Sequence, residues 1–289
     1  MLSFVENIRL IHYKVTSSTS NASFFSYIGY PLLAYHWPTI LFWALFFEFV
    51  VYAGIYTLKI FSPKKYGSMG YIETMGWTTH LASQMHASVA VYLSLYFLFG
   101  NREQIDKYTG FDERVTILTN FSGGLSLILG IPSRYFVWDL FISIVHIKHI
   151  GIGFVMHALI ALNSTLFTYK PALQYFQPAI MMFELSTLFL NNVWFCDQFG
   201  YSGSSFQILN GVLLAITFFF ARVVLGTVTF IELDKGLIGR VDILGKFVVY
   251  STLIGSVILW TLNAFWMYKI VITFIEKLKS SSSDNLKEE

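Results

Sequence analysis

The chain has little to offer water. Charged residues fill 12% of its 289 positions, against about 25% in an ordinary soluble domain. So few charges cannot cover a water-facing surface of this size, which excludes a soluble globular fold. A mean hydropathy of +0.59 agrees. Cysteine is nearly absent. Cys196 stands alone, so no internal disulfide can form, and a small packing role is expected for it. An excess of one charge is missing too. The net charge of +2 gives no basic footprint for nucleic acid. Glu6, Arg9 and Lys14 interrupt the first fourteen residues, which are not expected to act as a signal peptide. Neither end shows a membrane-anchoring lipidation motif. No internal repeat and no second soluble domain stand out.

What the chain has instead is long apolar runs. Apolar types make up 55% and aromatics 18%. A membrane-spanning helix needs roughly 20 mostly apolar residues. Seven stretches qualify, at about 37–58, 77–99, 123–147, 150–168, 173–196, 206–231 and 247–270. The expected fold is therefore all-α, a polytopic transmembrane bundle of about seven spans. Residues 1–36 read as a polar or interfacial N-terminal segment, 37–272 as the membrane domain, and 273–289 as a disordered polar tail. Charge collects in the connecting loops at 101–114 and 231–246. Pro171 and Pro178 bracket the start of the fifth stretch, which is expected to be broken or re-entrant or else a straight span. Lysine and arginine divide almost evenly between the two sides, so the positive-inside rule leaves the orientation open.

Polar groups interrupt these runs at Tyr135, Asp139, His157, Glu184, Ser186, Thr187, Asn191, Asn210 and Arg222. An ionisable side chain at bilayer depth costs about 2.5–3.5 kcal/mol on insertion scales. Such a group turns toward a protein interior or a cavity, and the series points to a polar cavity inside the bundle. Asp139 reads either as a base, or an orienter of a histidine, or as a helix-end carboxylate near headgroup water. His157 reads either as a general base or as a helix–helix hydrogen-bond donor. Glu184, Thr187 and Asn191 share one helix face. Arg222 is the candidate partner of Glu184, and the pair reads as an interhelical clamp or as a seat for a carboxylate or phosphate head group. His86, followed by small residues, reads first as a packing residue. Asp139, His146 and His149 share a face that could bind a metal, but no compact ligand motif is present and no metal is expected.

Several strings resemble the TLC-domain family, the TRAM, LAG and CLN-type membrane proteins. They are QMHAS around His86, RYFVWDL ending past Asp139, VMHAL around His157, FELSTLFLNNVWF from Phe183 to Phe195, and NGVLLAITFFFARVV through Arg222. The resemblance covers roughly 77–229. It is similar to the small, uncharacterised TLC proteins more than to ceramide synthases, whose paired histidines appear here as His157-Ala158.

The resemblance implies membrane lipid homeostasis, by binding, sensing or partitioning lipids. The alternative is an acyl-CoA-dependent acyltransferase, ceramide-synthase-like or acting on glycerolipids. There His157 would be the base and Asp139 its orienter, with Arg222 or His86 holding the thioester or head group. Whether the chain is an enzyme is left open. In the binding reading, Glu184, Arg222, His86, Asn191, Ser186, Thr187 and Asn210 form the lipid site or polar clamp. No cofactor is expected, acyl-CoA entering only as a co-substrate of the enzyme alternative. Membrane lipids are the expected partners, with a second copy or another membrane protein as further candidates. The expected location is the endoplasmic reticulum or another internal membrane.

Overall fold

A computed structural model describes residues 33–100, 152–168 and 174–285. All of its regular elements among these residues are helices. Helix α1 (Leu33–Phe61) is followed by the short α2 (Pro63–Ser68) and by α3 (Tyr71–Gly100). Helix α4 (Ile152–Thr168) comes next. A 3₁₀ turn (Gln174–Phe176) leads into α5 (Gln177–Met181) and α6 (Glu184–Gln198). Helix α7 (Ser205–Phe218) passes through a π-helical segment (Phe219–Leu225) into α8 (Gly226–Ile238). The short α9 (Val241–Leu244) precedes α10 (Lys246–Asn285).

Five helical stretches are long and apolar enough to cross a membrane: Pro38–Phe61, Gly76–Phe99, Gln174–Gln198, Ser205–Ile238 and Lys246–Glu276. The expected count of about seven is not reached among the described residues. The stretch 123–147, with Tyr135, Asp139, His146 and His149, lies outside them. Helix α4 has only 17 residues. The stretch beginning at Gln174 is broken: α5 ends at Met181 and α6 starts at Glu184, with Met182 and Phe183 at the break. The last helix runs on to Asn285, into residues expected to form a polar tail.

Large apolar side chains point outward along every span, among them Phe49, Tyr92, Phe220 and Trp260. This is the arrangement of a bundle whose solvent is hydrocarbon, where helices associate through close packing and internal hydrogen bonds. Helices α3 and α6 run antiparallel, with His80 opposite Asn191 and Phe97 packed near Tyr175. Helices α6 and α7 form a tight hairpin. Gly200 and Gly203 take positive φ values of 76° and 79° in its turn, a backbone that side chains rarely adopt. Ser204 caps α7 by accepting from the Gln207 amide, and Gln207 in turn donates to Asp197 at 2.6 Å. These bonds fix the rotation of α7 against α6.

A dry core fills the opposite end of the bundle. It contains Phe176, Phe183, Phe230, Leu233, Leu237, Val248, Val249 and Leu259. Helices α8 and α10 supply six of these eight side chains. The main polar network lies between this core and the α6–α7 turn, with a separate Ser256–Asp234 hydrogen bond between α8 and α10 at 2.9 Å.

Candidate functional site

Arg222 sits midway along the 34-residue span Ser205–Ile238. At about 1.5 Å per residue it is roughly 25 Å from either end, near bilayer centre. It is 7% exposed. The π segment carries it, and such wide turns are rare and recur at functional sites. Gly226 follows at the end of that segment. A Cβ there would meet the Phe183 ring at 3.1 Å, so the glycine lets Phe183 and the Arg222 segment close on each other.

The guanidinium is held by the start of α6. Its Nε donates to the Phe183 carbonyl and to Ser186 Oγ, both at 3.0 Å, and Nη2 donates to Thr187 Oγ1 at 3.2 Å. The break between α5 and α6 puts the Phe183 carbonyl within reach. Phe218 stands beneath the guanidinium carbon at 5.2 Å from its ring centre. Thr187 also hydrogen-bonds the Glu184 carboxylate. Glu184 and Arg222 therefore make no direct ion pair. Thr187 stands between them, and the opposite charges compensate at slightly longer range. The expected partnership of Glu184 and Arg222 runs through Thr187, because the break in the helix offers Arg222 nearer acceptors than the carboxylate.

Two histidines complete this polar centre. His86 on α3 and His157 on α4 both lie within electrostatic reach of Glu184, and His157 also of Arg222. His86 is buried, with Phe47 of α1 against its ring. The His157 ring meets Trp266 of α10 edge-on at 5.4 Å. Its Nδ1 is buried and has no hydrogen-bond partner among the described residues. Four ionisable side chains from α3, α4, α6 and the π segment thus converge at one depth.

A second polar layer lies between this centre and the α6–α7 turn. His80 Nδ1 and Asn191 Oδ1 are 2.7 Å apart, so the imidazole donates. Asn191 Nδ2 donates to Ser83 at 3.2 Å. Gln84 donates to Asn192, and Asn192 Nδ2 donates to Asn210 Oδ1 at 3.0 Å. Asn210 donates to the Phe206 carbonyl at 2.8 Å. The His80 ring stacks on Trp194 at 4.1 Å. This ladder ties α3, α6 and α7 together side chain by side chain.

The structure therefore divides the residues singled out in the sequence. It brings His157, Glu184, Ser186, Thr187, Arg222 and His86 together. It places Asn191 and Asn210 in the ladder instead; Asn191 lies two helical turns beyond Glu184, about 10 Å away. Asp139 lies outside the described residues. Sequence reasoning did not single out His80, Ser83, Gln84 or Asn192 as a ladder, nor Asn263, a buried amide on α10. Neutral polar residues are common in helices and cost little singly, so only their spacing could have marked them. Among the described residues no group of three His, Cys, Asp or Glu is arranged to hold a metal.

Chemically, the centre offers a compensated charge pair, an imidazole nitrogen without a partner, and an apolar wall formed by Phe183, Phe218 and Trp266.

A TLC domain family model matches residues 76–272. The chain is 29% identical to an uncharacterised TLC domain-containing protein of Schizosaccharomyces pombe, over 84% of this chain and 80% of that one. It is also 29% identical to human TLC domain-containing protein 4, over 83% of this chain and 90% of the human protein. A shorter similarity, 26% identity over 50% of this chain and 54% of the other, joins it to topoisomerase I damage affected protein 4 of Saccharomyces cerevisiae. No solved structure matches. The two longer matches are to TLC domain-containing proteins and not to ceramide synthases, as the strings around Glu184 and His157 imply. With two-thirds of its length matched and its membrane-spanning helices in place, the chain belongs to the TLC domain family of integral membrane proteins.

Proposed function

We propose that the chain binds a membrane lipid by its head group in the polar centre and through this takes part in membrane lipid homeostasis. The observation that carries the reading is the convergence of Glu184, Arg222, His86 and His157 near mid-span. Burying four such groups is costly in hydrocarbon, and one of them, His157, keeps a buried ring nitrogen without a partner among the described residues. A ligand that occupies the site explains why the cost is kept. Lipid analysis of cells with and without the chain, under varied fatty-acid supply, tests it. The wild-type chain restores the composition; the double variant Glu184→Gln, Arg222→Leu does not. Identical compositions in all three strains would refute the proposal. The location proposed with it, the endoplasmic reticulum or another internal membrane, rests on the resemblance alone and is checked by imaging a tagged chain.

A second reading is acyl transfer from acyl-CoA to a lipid hydroxyl or amine. The unpartnered His157 Nδ1 favours it, because a general base needs a nitrogen free to take the proton. Purified chain, acyl-CoA and a panel of lipid alcohols and amines test it. Product formation that disappears in His157→Ala supports it; equal rates in the two proteins remove it.

A further inference from the structure

Asn263 lies midway along the span Lys246–Glu276, as Arg222 does along Ser205–Ile238. It is 1% exposed, and neither its amide nitrogen nor its oxygen has a hydrogen-bond partner among the described residues. Its helix face is inward: Ser256 and Leu259, seven and four residues earlier, are buried as well. Trp266, three residues later, packs on the His157 ring. Trp260, three residues earlier, donates to Thr227 Oγ1 at 2.9 Å. Helices α8 and α10 are antiparallel, so stepping from Trp260 to Asn263 corresponds to stepping from Thr227 back toward Arg222. Asn263 thus lies on the stretch of α10 between Trp260, which meets Thr227, and Trp266, which meets His157.

An amide with both ends unpaired at bilayer depth is a costly thing to keep. A purely structural asparagine would be paired across helices, as Asn191 is with Ser83 and Asn210 with Asn192. The charges nearby are already matched. Two nitrogens of Arg222 donate to protein oxygens, and Glu184 compensates its charge. Unused beside the Arg222 Nη1 donors are neutral groups among the described residues: one imidazole nitrogen, one amide donor and one amide acceptor.

We infer that Asn263 and His157 form the recognition pair of the site, and that the ligand is a neutral lipid with a free hydroxyl, of the diacylglycerol class. A hydroxyl both donates and accepts, so it satisfies the amide oxygen and nitrogen together. A fully ionised phosphate accepts only. It would leave the amide oxygen unpaired and add a charge to a balanced pair. The inference rests on the lipid-binding reading and specifies its ligand.

The test uses the full chain in detergent micelles with dioleoylglycerol or dioleoylphosphatidate, which share acyl chains, and reads adducts by native mass spectrometry. Dioleoylglycerol binds and saturates, and phosphatidate does not displace it. Asn263→Leu lowers dioleoylglycerol occupancy at least about tenfold, the loss of roughly one buried hydrogen bond. It also raises the melting temperature of the lipid-free protein, because an unpaired amide is removed. His157→Phe gives the same loss and serves if the first variant does not fold. Phosphatidate binding as strongly, unchanged occupancy in both variants, or a lowered melting temperature in Asn263→Leu overturns the inference while the lipid-binding reading stands. Binding of no lipid at all to the wild-type chain overturns both.

Discussion

The ladder and the centre are made of similar residues and differ in how completely they are satisfied. In the ladder, His80, Ser83, Asn191, Asn192 and Asn210 each find a partner on a neighbouring helix or turn. Among the described residues the ladder leaves one buried oxygen, Gln84 Oε1, without a partner, whereas around the centre one imidazole nitrogen and one whole amide find none. Buried polar groups in native proteins are paired in the great majority of cases, so unpaired ones call for a reason. The contrast separates two uses of polarity inside a membrane. One joins helices. The other waits for something that the chain itself does not supply.

Substitutions can break this contrast. The largest effect is expected from Arg222→Leu, which strips Glu184 of its compensating charge. Removing one member of a buried charge pair costs about 3–5 kcal/mol. Thermal unfolding in detergent should show a steep loss, largely recovered when Glu184→Gln is added. If the single and double variants melt alike, the two charges are not coupled.

A smaller effect is expected in the ladder. Asn191→Leu leaves the His80 nitrogen and the Ser83 hydroxyl without their shared partner, at about 1–3 kcal/mol. A double-mutant cycle with His80→Phe should yield a coupling of about 0.6 kcal/mol and not above roughly 1.7, the range for such bonds in membranes. A coupling of zero would remove His80–Asn191 from the structural account.

Gly226→Ala sharpens the comparison from the centre's side. The new methyl meets the Phe183 ring at 3.1 and 3.3 Å. Overpacking of this kind costs about 1–3 kcal/mol, and displacing Phe183 moves the carbonyl that holds Arg222. Bound lipid should fall with stability here, whereas in Asn191→Leu only stability should fall. The smallest effect belongs to the ion pair between α2 and α3. Lys65 and Glu73 form a half-exposed ion pair at 2.7 Å, so Lys65→Met should change unfolding by at most about 1 kcal/mol and leave lipid content alone.

Much of this was legible in the sequence. Apolar runs with rare charges announced a helical membrane bundle, and Glu184, Arg222, His157 and His86 stood out because charge inside such runs is expensive. Two things were not legible. The bond from Arg222 to a backbone carbonyl depends on the break at Met182 and Phe183 and on the π segment, and no side-chain pattern encodes either. Asn263 sits in the apolar string ILWTLNAFW, where a single amide looks like an ordinary helix contact. Only its lack of a partner distinguishes it, and that is a property of the packed bundle.

The difference between the two layers is tested most directly by native mass spectrometry of lipid carried through purification by three proteins: wild type, His157→Phe and Asn191→Leu. The account predicts that wild type and Asn191→Leu retain the same lipid at comparable occupancy, while His157→Phe loses it with its fold intact. Lipid retained by all three, or lost equally from both variants at equal stability, would contradict it.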